Sequence, residues 1–278
     1  MDKTYRQLIQ EATHTLETHG KEGHAIQAVF LRRKNWDKMH FLLNLDQLAT
    51  REDQLQVAQD IERLLADYPP QYLTGVEEFY GRLFQVTEDT LIPRPETEEL
   101  VQLCLSMNDQ TKPLHVMDIG TGTGAIAISL KAEAPNWNVH ASDLSPKALQ
   151  VAQQNAQRLE QELCFHTGDT LTPVLAHQFD IIVSNPPYIA QNEWEVMDAS
   201  VRLFEPKMAL FAEHEGLAIY EKIAKQAPLC LKPEGQLFLE IGYLEKDAVI
   251  ALFQQAFPMK KVEAKKDLFG NDRMIVVY

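Results

Sequence analysis

The chain has 278 residues, 45% apolar, 8% aromatic and 24% charged, the balance of a folded protein and not of a disordered, collagen-like or disulfide-stapled one. Its length predicts one large domain and one small. A net charge of −14 argues against an extended phosphate-binding surface, which needs clustered Lys and Arg.

No stretch reaches the roughly 18 apolar residues of a membrane span, and the polar start MDKTYRQLIQ lacks the apolar core of a signal peptide, so a cytoplasmic protein is expected. Cys104, Cys164 and Cys230 are odd in number and far apart, which suits reduced, mostly buried thiols and neither a disulfide nor a zinc site.

Residues 1–75 read as a helical domain. Tyr5, Leu8, Ile9, Ala12 and Leu16 recur at helical spacing up to Gly20. Further apolar sets are Ala25, Ala28, Val29 and Leu31, then Met39, Leu42 and Leu43, then Leu55, Ala58, Ile61, Leu64 and Leu65 before Pro69-Pro70. The one basic cluster, Arg32-Arg33-Lys34, is either a solvated helix end or a small nucleic-acid contact. Residues 76–93 read as a β-hairpin linker around Gly81, followed by the extended, proline-held Ile92-Pro93-Arg94-Pro95 and a helix opened by acids through Leu103.

Residues 94–278 form the large domain. Strands are expected at Leu114–Ile119, Trp137–Ser142, Leu163–His166, Asp180–Ser184, Gln236–Ile241, Lys261–Lys265 and Arg273–Tyr278. Helices are expected at Ala125–Ala134, Pro146–Glu160, Leu217–Leu231 and Lys246–Ala256. Such alternation predicts an α/β fold with a mostly parallel sheet between two helical layers.

The first of these strands ends at Asp118 and runs into Gly120-Thr121-Gly122-Thr123-Gly124. Glycines there permit a sharp turn and a close ligand approach, although Gly120-x-Gly122-x-x-Ala125 also satisfies a dinucleotide fingerprint. Asp143 ends the next strand, with oxygens suited to a ribose diol or to a helix cap. Asp169, after the third, suits an adenine amino group or a turn. The fourth ends in Asn185-Pro186-Pro187-Tyr188. Two prolines remove two backbone donors and stiffen the chain, which leaves carbonyls beside an Asn amide oxygen and an aromatic ring. That edge suits an NH2 group held by both hydrogens while its nitrogen faces an electrophile. A hydride-transfer enzyme has no use for it; an amine-methylating enzyme has.

These motifs resemble those of class I S-adenosylmethionine-dependent methyltransferases acting on planar nitrogens. Gln71-Tyr72-Leu73-Thr74-Gly75, Ile92–Glu98, Glu205-Pro206, Glu240-Ile241-Gly242 and Asp267-x-x-Gly270-x-x-Arg273 extend the likeness over nearly the whole chain. Together they are similar to the peptide chain release factor glutamine methyltransferases. Phe211–Gly216 and Leu244-Glu245 depart from the family's pattern.

The resemblance implies a Rossmann-like class I methyltransferase domain with a seven-stranded sheet behind a small all-α N-terminal domain. It implies methylation of the glutamine amide in the Gly-Gly-Gln motif of release factors, with S-adenosyl-L-homocysteine as product and neither metal nor covalent intermediate. Gly120, Thr121, Gly122, Thr123 and Gly124 would hold the methionine part of the cofactor, Asp143 the ribose, and Asp169 and Thr170 the adenine end. Asn185, also beside the cofactor, and the Pro186 carbonyl would orient the glutamine amide, with Pro187 and Tyr188 completing the catalytic edge. The alternative within the same class is an adenine-N6 methyltransferase acting on RNA or DNA. A monomer without direct nucleic-acid binding is expected, with residues 189–203 as either a substrate-gating loop or a plain surface excursion and the helical domain gripping the release factor.

Overall fold

The computed structural model describes residues 3–278. The chain divides into two compact units: one runs to Val76 and includes Asp198–Phe204, the other comprises Glu77–Met197 and Glu205–Tyr278.

The first unit is helical: α1 (Tyr5–Thr18), α2 (His24–Lys34), α3 (Lys38–Asn44), α4 (Arg51–Leu65) and α5 (Pro70–Thr74). Thr4 starts α1 with a reciprocal capping box to Gln7, and the apolar face read from the sequence is the buried one. Two other faces differ from that reading. In α3 it is Phe41 that is buried, edge-on to Phe30, while Met39, Leu42 and Leu43 are exposed. The aromatic cluster of Tyr5, Phe30, Trp36 and Phe41 decides the rotation of this short helix.

In α4 the inner face carries Asp53, Val57, Asp60 and Leu64, and Leu55 is 58% exposed. The acids face inward because their partners are there. Asp60 takes a forked pair of bonds from Arg33 at 2.9 and 3.0 Å, and Asp53 accepts from Tyr5 at 2.6 Å, Thr50 at 2.8 Å and Lys34 at 3.1 Å. Arg33 and Lys34 are thus tied into the unit's own packing. Part of the 189–203 segment has regular structure. Gln191–Val196 forms 3-10 turns, and α9 (Ala199–Phe204) lays Phe204 edge-on against Tyr68 at 5.0 Å.

From Val76, the last residue of the first unit's opening stretch, the chain runs into a hairpin, β1 (Val76–Phe79) and β2 (Arg82–Gln85), turned at Tyr80-Gly81. Then come α6 (Pro95–Met107), β3 (His115–Ile119), α7 (Ala125–Glu133), β4 (Asn138–Asp143), α8 (Pro146–Arg158), β5 (Cys164–Thr167) and β6 (Phe179–Ser184). After α10 (Lys207–Leu210) follow α11 (Ala218–Cys230), β7 (Leu231–Glu240), α12 (Lys246–Ala256), β8 (Val262–Lys266) and β9 (Asp272–Val277). Seven strands make one sheet in the order β5-β4-β3-β6-β7-β9-β8. It is parallel except for β9, which runs antiparallel to both β7 and β8.

Helices α6, α7 and α8 bury one face of the sheet, and α11 and α12 bury the other. Strand β3 alternates accordingly, Val116 into the first layer and Met117 and Ile119 into the second. The α/β expectation holds, with strand ends shifted by a residue or two; β7 starts five residues early, its first turns pairing as Phe179↔Leu231 across a bulge. Cys104 and Cys230 are buried as expected, but Cys164, near the start of edge strand β5, is exposed. Among the described residues no helix is long and apolar enough to cross a membrane.

Candidate active site

The strand order reverses between β3 and β6, and ligands of open α/β sheets bind at the carboxyl ends beside such a reversal. Asp118 is fully buried there, which pushes its carboxyl up to about 7 although Thr121 donates to Oδ2 at 2.6 Å. Its Oδ1 has no partner. The chain then turns on Gly122, at φ +55°, where an added Cβ would enter open space, and on Gly124, at φ +82°, where a Cβ would lie 2.8 Å from Ile128. The first glycine leaves room in front of the loop and the second lets α7 pack behind it.

Asp143 at the end of β4 accepts from the Gly122 amide at 2.9 Å and from the Ser145 amide at 2.8 Å. Burial still raises its carboxyl above the ordinary range. The cap of α8 is Ser145, whose hydroxyl accepts from the Ala148 amide; Asp143 reaches back to the loop instead. From behind, the buried Asn155 of α8 donates to the Thr123 carbonyl at 2.9 Å and exchanges two bonds with Gln85 of the hairpin.

The end of β6 carries the second half of the site. Asn185 Nδ2 donates to Thr97 Oγ1 at 3.0 Å, and Thr97 Oγ1 donates to Glu240 Oε2 at 2.7 Å. Beyond the prolines, the Ile189 amide bonds the Leu210 carbonyl and the Ala212 amide bonds the Ile189 carbonyl. Gly216 packs so closely that an added Cβ would lie 2.1 Å from the Tyr188 carbonyl oxygen. Upstream, the buried Glu205 carboxylate holds the Ile92 amide at 3.1 Å and Arg94 at 2.6 Å, locking the proline-rich segment.

Gly120, Gly122, Asp143, Asp169, Thr170, Asn185, Pro186 and Pro187 line one cleft of about 830 Å3 including its mouth. Thr121, Thr123 and Gly124 do not; they shape the loop from behind. Tyr188 lines a neighbouring cavity with Gly242, Glu245 and Arg273. Asp169 pairs with Lys222 at 2.7 Å, and Thr170, at φ +51°, donates its hydroxyl to Gln226 at 2.6 Å.

The composition of this wall separates the cofactors that the glycine loop alone allows. Asp89, Asp143 and Asp169 line it, and among the described residues no Lys or Arg does. A dinucleotide's pyrophosphate would find no cation lining the wall. Asp89 pairs with Lys147 and Asp169 with Lys222, whereas Asp143, the lining acid without a cationic partner among the described residues, favours a ribose diol and a nearby sulfonium or ammonium. Open space before Gly120 and Gly122 and the apolar Leu144 and Ala148 fit S-adenosylmethionine.

Sheet order and acid-lined cleft put the chain among the class I S-adenosylmethionine-dependent methyltransferases. Residues 100–212 match the Methyltransferase small domain and residues 7–75 the PrmC N-terminal domain. A release factor glutamine methyltransferase of Enterococcus faecalis is 50% identical over 276 residues, 99% of each chain. That of Lactococcus lactis is 44% identical over 267 residues, 96% of this chain and 98% of the other. In fold, a methyltransferase from Pyrococcus furiosus superposes with a TM-score of 0.53 at 17% identity, covering 82% of this chain and 98% of that one. The chain belongs to the release factor glutamine methyltransferase family.

Several residues that shape the site carry no recognisable signal of their own in the sequence. Asn155 shows only as a polar residue on the inner face of an amphipathic helix. Thr97 and Glu240 stand in noticed motifs, yet their meeting, 143 residues apart, is a product of the fold.

Proposed function

We propose that the chain transfers a methyl group from S-adenosylmethionine to the side-chain amide nitrogen of the glutamine in the Gly-Gly-Gln motif of release factors. One observation supports this above the rest: the acceptor edge of Asn185 and Pro186 shares a cleft with the glycine loop. The bound cofactor supplies a methyl carbon activated by a sulfonium leaving group. The protein's task is then positioning. An amide nitrogen is a poor nucleophile because its electron pair is delocalised. Asn185 Oδ1 and the Pro186 carbonyl hold its two hydrogens, and the stiff Pro186-Pro187 pair keeps those acceptors in place. Gly120–Gly124 cradle the methionine end, Asp143 takes the ribose, and Asp169 with Thr170 borders the adenine. Tyr188 supports the edge from the neighbouring cavity. The domain boundaries we favour are 1–75 for a helical partner-recognition domain, 76–93 for the linking hairpin and 94–278 for catalysis.

The test is mass spectrometry of a release factor incubated with the protein and labelled cofactor, with ribosomal RNA in parallel. One added methyl on one glutamine is expected; label in the RNA alone would overturn the reading.

A further inference from the structure

The Asn185–Thr97–Glu240 chain has a direction, and that direction decides which atom Asn185 offers the substrate. A hydroxyl has one hydrogen to give. While Glu240 is ionised, its Oε2 at 2.7 Å takes that hydrogen, so toward Asn185 Thr97 Oγ1 can only accept. Asn185 must then turn Nδ2, its donor, to Thr97, as observed at 3.0 Å. Its Oδ1 is left for the cleft that Asn185 lines. With no Thr97 hydroxyl the amide could flip about its last torsion at little cost. NH2 would then confront NH2, and the substrate would lose one of its two acceptors.

We infer that Thr97, oriented by Glu240, is a positioning residue that locks the Asn185 carboxamide with its oxygen toward the substrate, making the rim acceptor-only and selective for an NH2 group. This rests on the function proposed above. Thr97 is 5% exposed and Glu240 2%, so water cannot readily replace either bond. The two come from α6 and the last residue of β7, which makes the lock a property of the folded sheet and not of the Asn-Pro-Pro-Tyr segment alone.

Thr97→Val removes the hydroxyl at constant shape and Thr97→Ser keeps it. Turnover on the release factor is expected to fall about tenfold or more in Thr97→Val, with affinity for S-adenosylhomocysteine unchanged, and to return to within about threefold of wild type in Thr97→Ser. In an Asn185→Ala background Thr97→Val should cost less than about twofold more, because the two act as one unit. A readout independent of activity is hydrogen exchange of the Asn185 side-chain amide, whose NMR signal is assigned by its loss in Asn185→Ala. It should be slow in wild type and fast in Thr97→Val. Fast exchange in wild type overturns the lock even if methylation is seen; slow exchange with no methylation overturns the function reading and leaves the lock standing. Equal losses in the Val and Ser variants, or additive losses with Asn185→Ala, also overturn it. Should Thr97→Val fail to fold, Glu240→Gln carries the test: it keeps a bond but not its direction, so fast Asn185 exchange supports the lock and wild-type exchange overturns it.

Discussion

Asn185 is the residue on which the chemistry is most concentrated. Replacing it with Ala should reduce turnover ~10²-fold or more while cofactor affinity changes far less, because it is proposed to touch the reacting amide and not the bulk of the cofactor. Single-turnover kinetics beside calorimetry of S-adenosylhomocysteine binding checks this, and equal losses in both would refute the assignment. Gly216 acts on the same edge from outside. Its φ of +88° and the 2.1 Å approach to the Tyr188 carbonyl leave no place for a methyl group. Gly216→Ala should cost roughly 1–3 kcal/mol of stability and disturb the Asn-Pro-Pro-Tyr segment, read as a lower Tm with turnover falling more than cofactor affinity. The glycine loop, Asp143 and Asn185-Pro186-Pro187 were legible because each is a short motif at the end of an apolar strand, and strand ends converge in this fold. Tyr188 shows the limit of that logic, since the pleat and the prolines carry its ring to a different cavity. Thr97 and Glu240 show another: a contact between distant chain segments leaves no local spacing to read.

At the level of elements, pairing of charge within the helices decided what apolar periodicity could not. The Leu55 face of α4 reads as a core stripe, but Asp53 and Asp60 find Lys34 and Arg33 on the other side and the helix turns that side inward. Strands β4 and β5 carry a different electrostatic load. His140 and His166 stack at 5.2 Å with nitrogens 3.0 Å apart, and His177 adjoins both. Burial first, and then His166, His177 and His115, depress His140 from 6.5 to about 4. In the unfolded chain His140 takes a proton near pH 6.5 that the folded chain refuses. Its stability contribution is therefore complete above about pH 6.5 and is lost as pH falls toward 4. Thermal unfolding of wild type and His140→Gln between pH 7 and 5 should show a smaller decline in the variant. Parallel curves would remove His140 as the cause. The buried Asp118 and Glu240 carboxyls, both raised to about 7, act in the opposite sense, which is why the difference between the proteins is the quantity to follow.

Across the molecule, the two units have separate cores, one built on Tyr5, Leu16, Ile26 and Phe30 and the other on the sheet. Arg33→Ala leaves the buried Asp60 without its forked partner, a loss of about 1–2 kcal/mol once screening of the partly exposed guanidinium is allowed for. Calorimetry should show the helical unit's transition moving down, while S-adenosylhomocysteine affinity, which depends on the second unit's cleft, stays at the wild-type value. A matching fall in that affinity would show that the cleft requires an intact helical unit.

The sheet's order carries a further consequence for how the protein is made. Strand β9 lies between β7 and β8, and β8 has no other neighbour in the sheet. A nascent chain that has not yet released Asp272–Val277 from the ribosome therefore holds β7 with an open apolar edge and β8 with nothing to join. Closure of the sheet therefore waits on β9, the last of its seven strands in chain order, and until β9 joins, β7 keeps an unpaired edge on which other chains can pair.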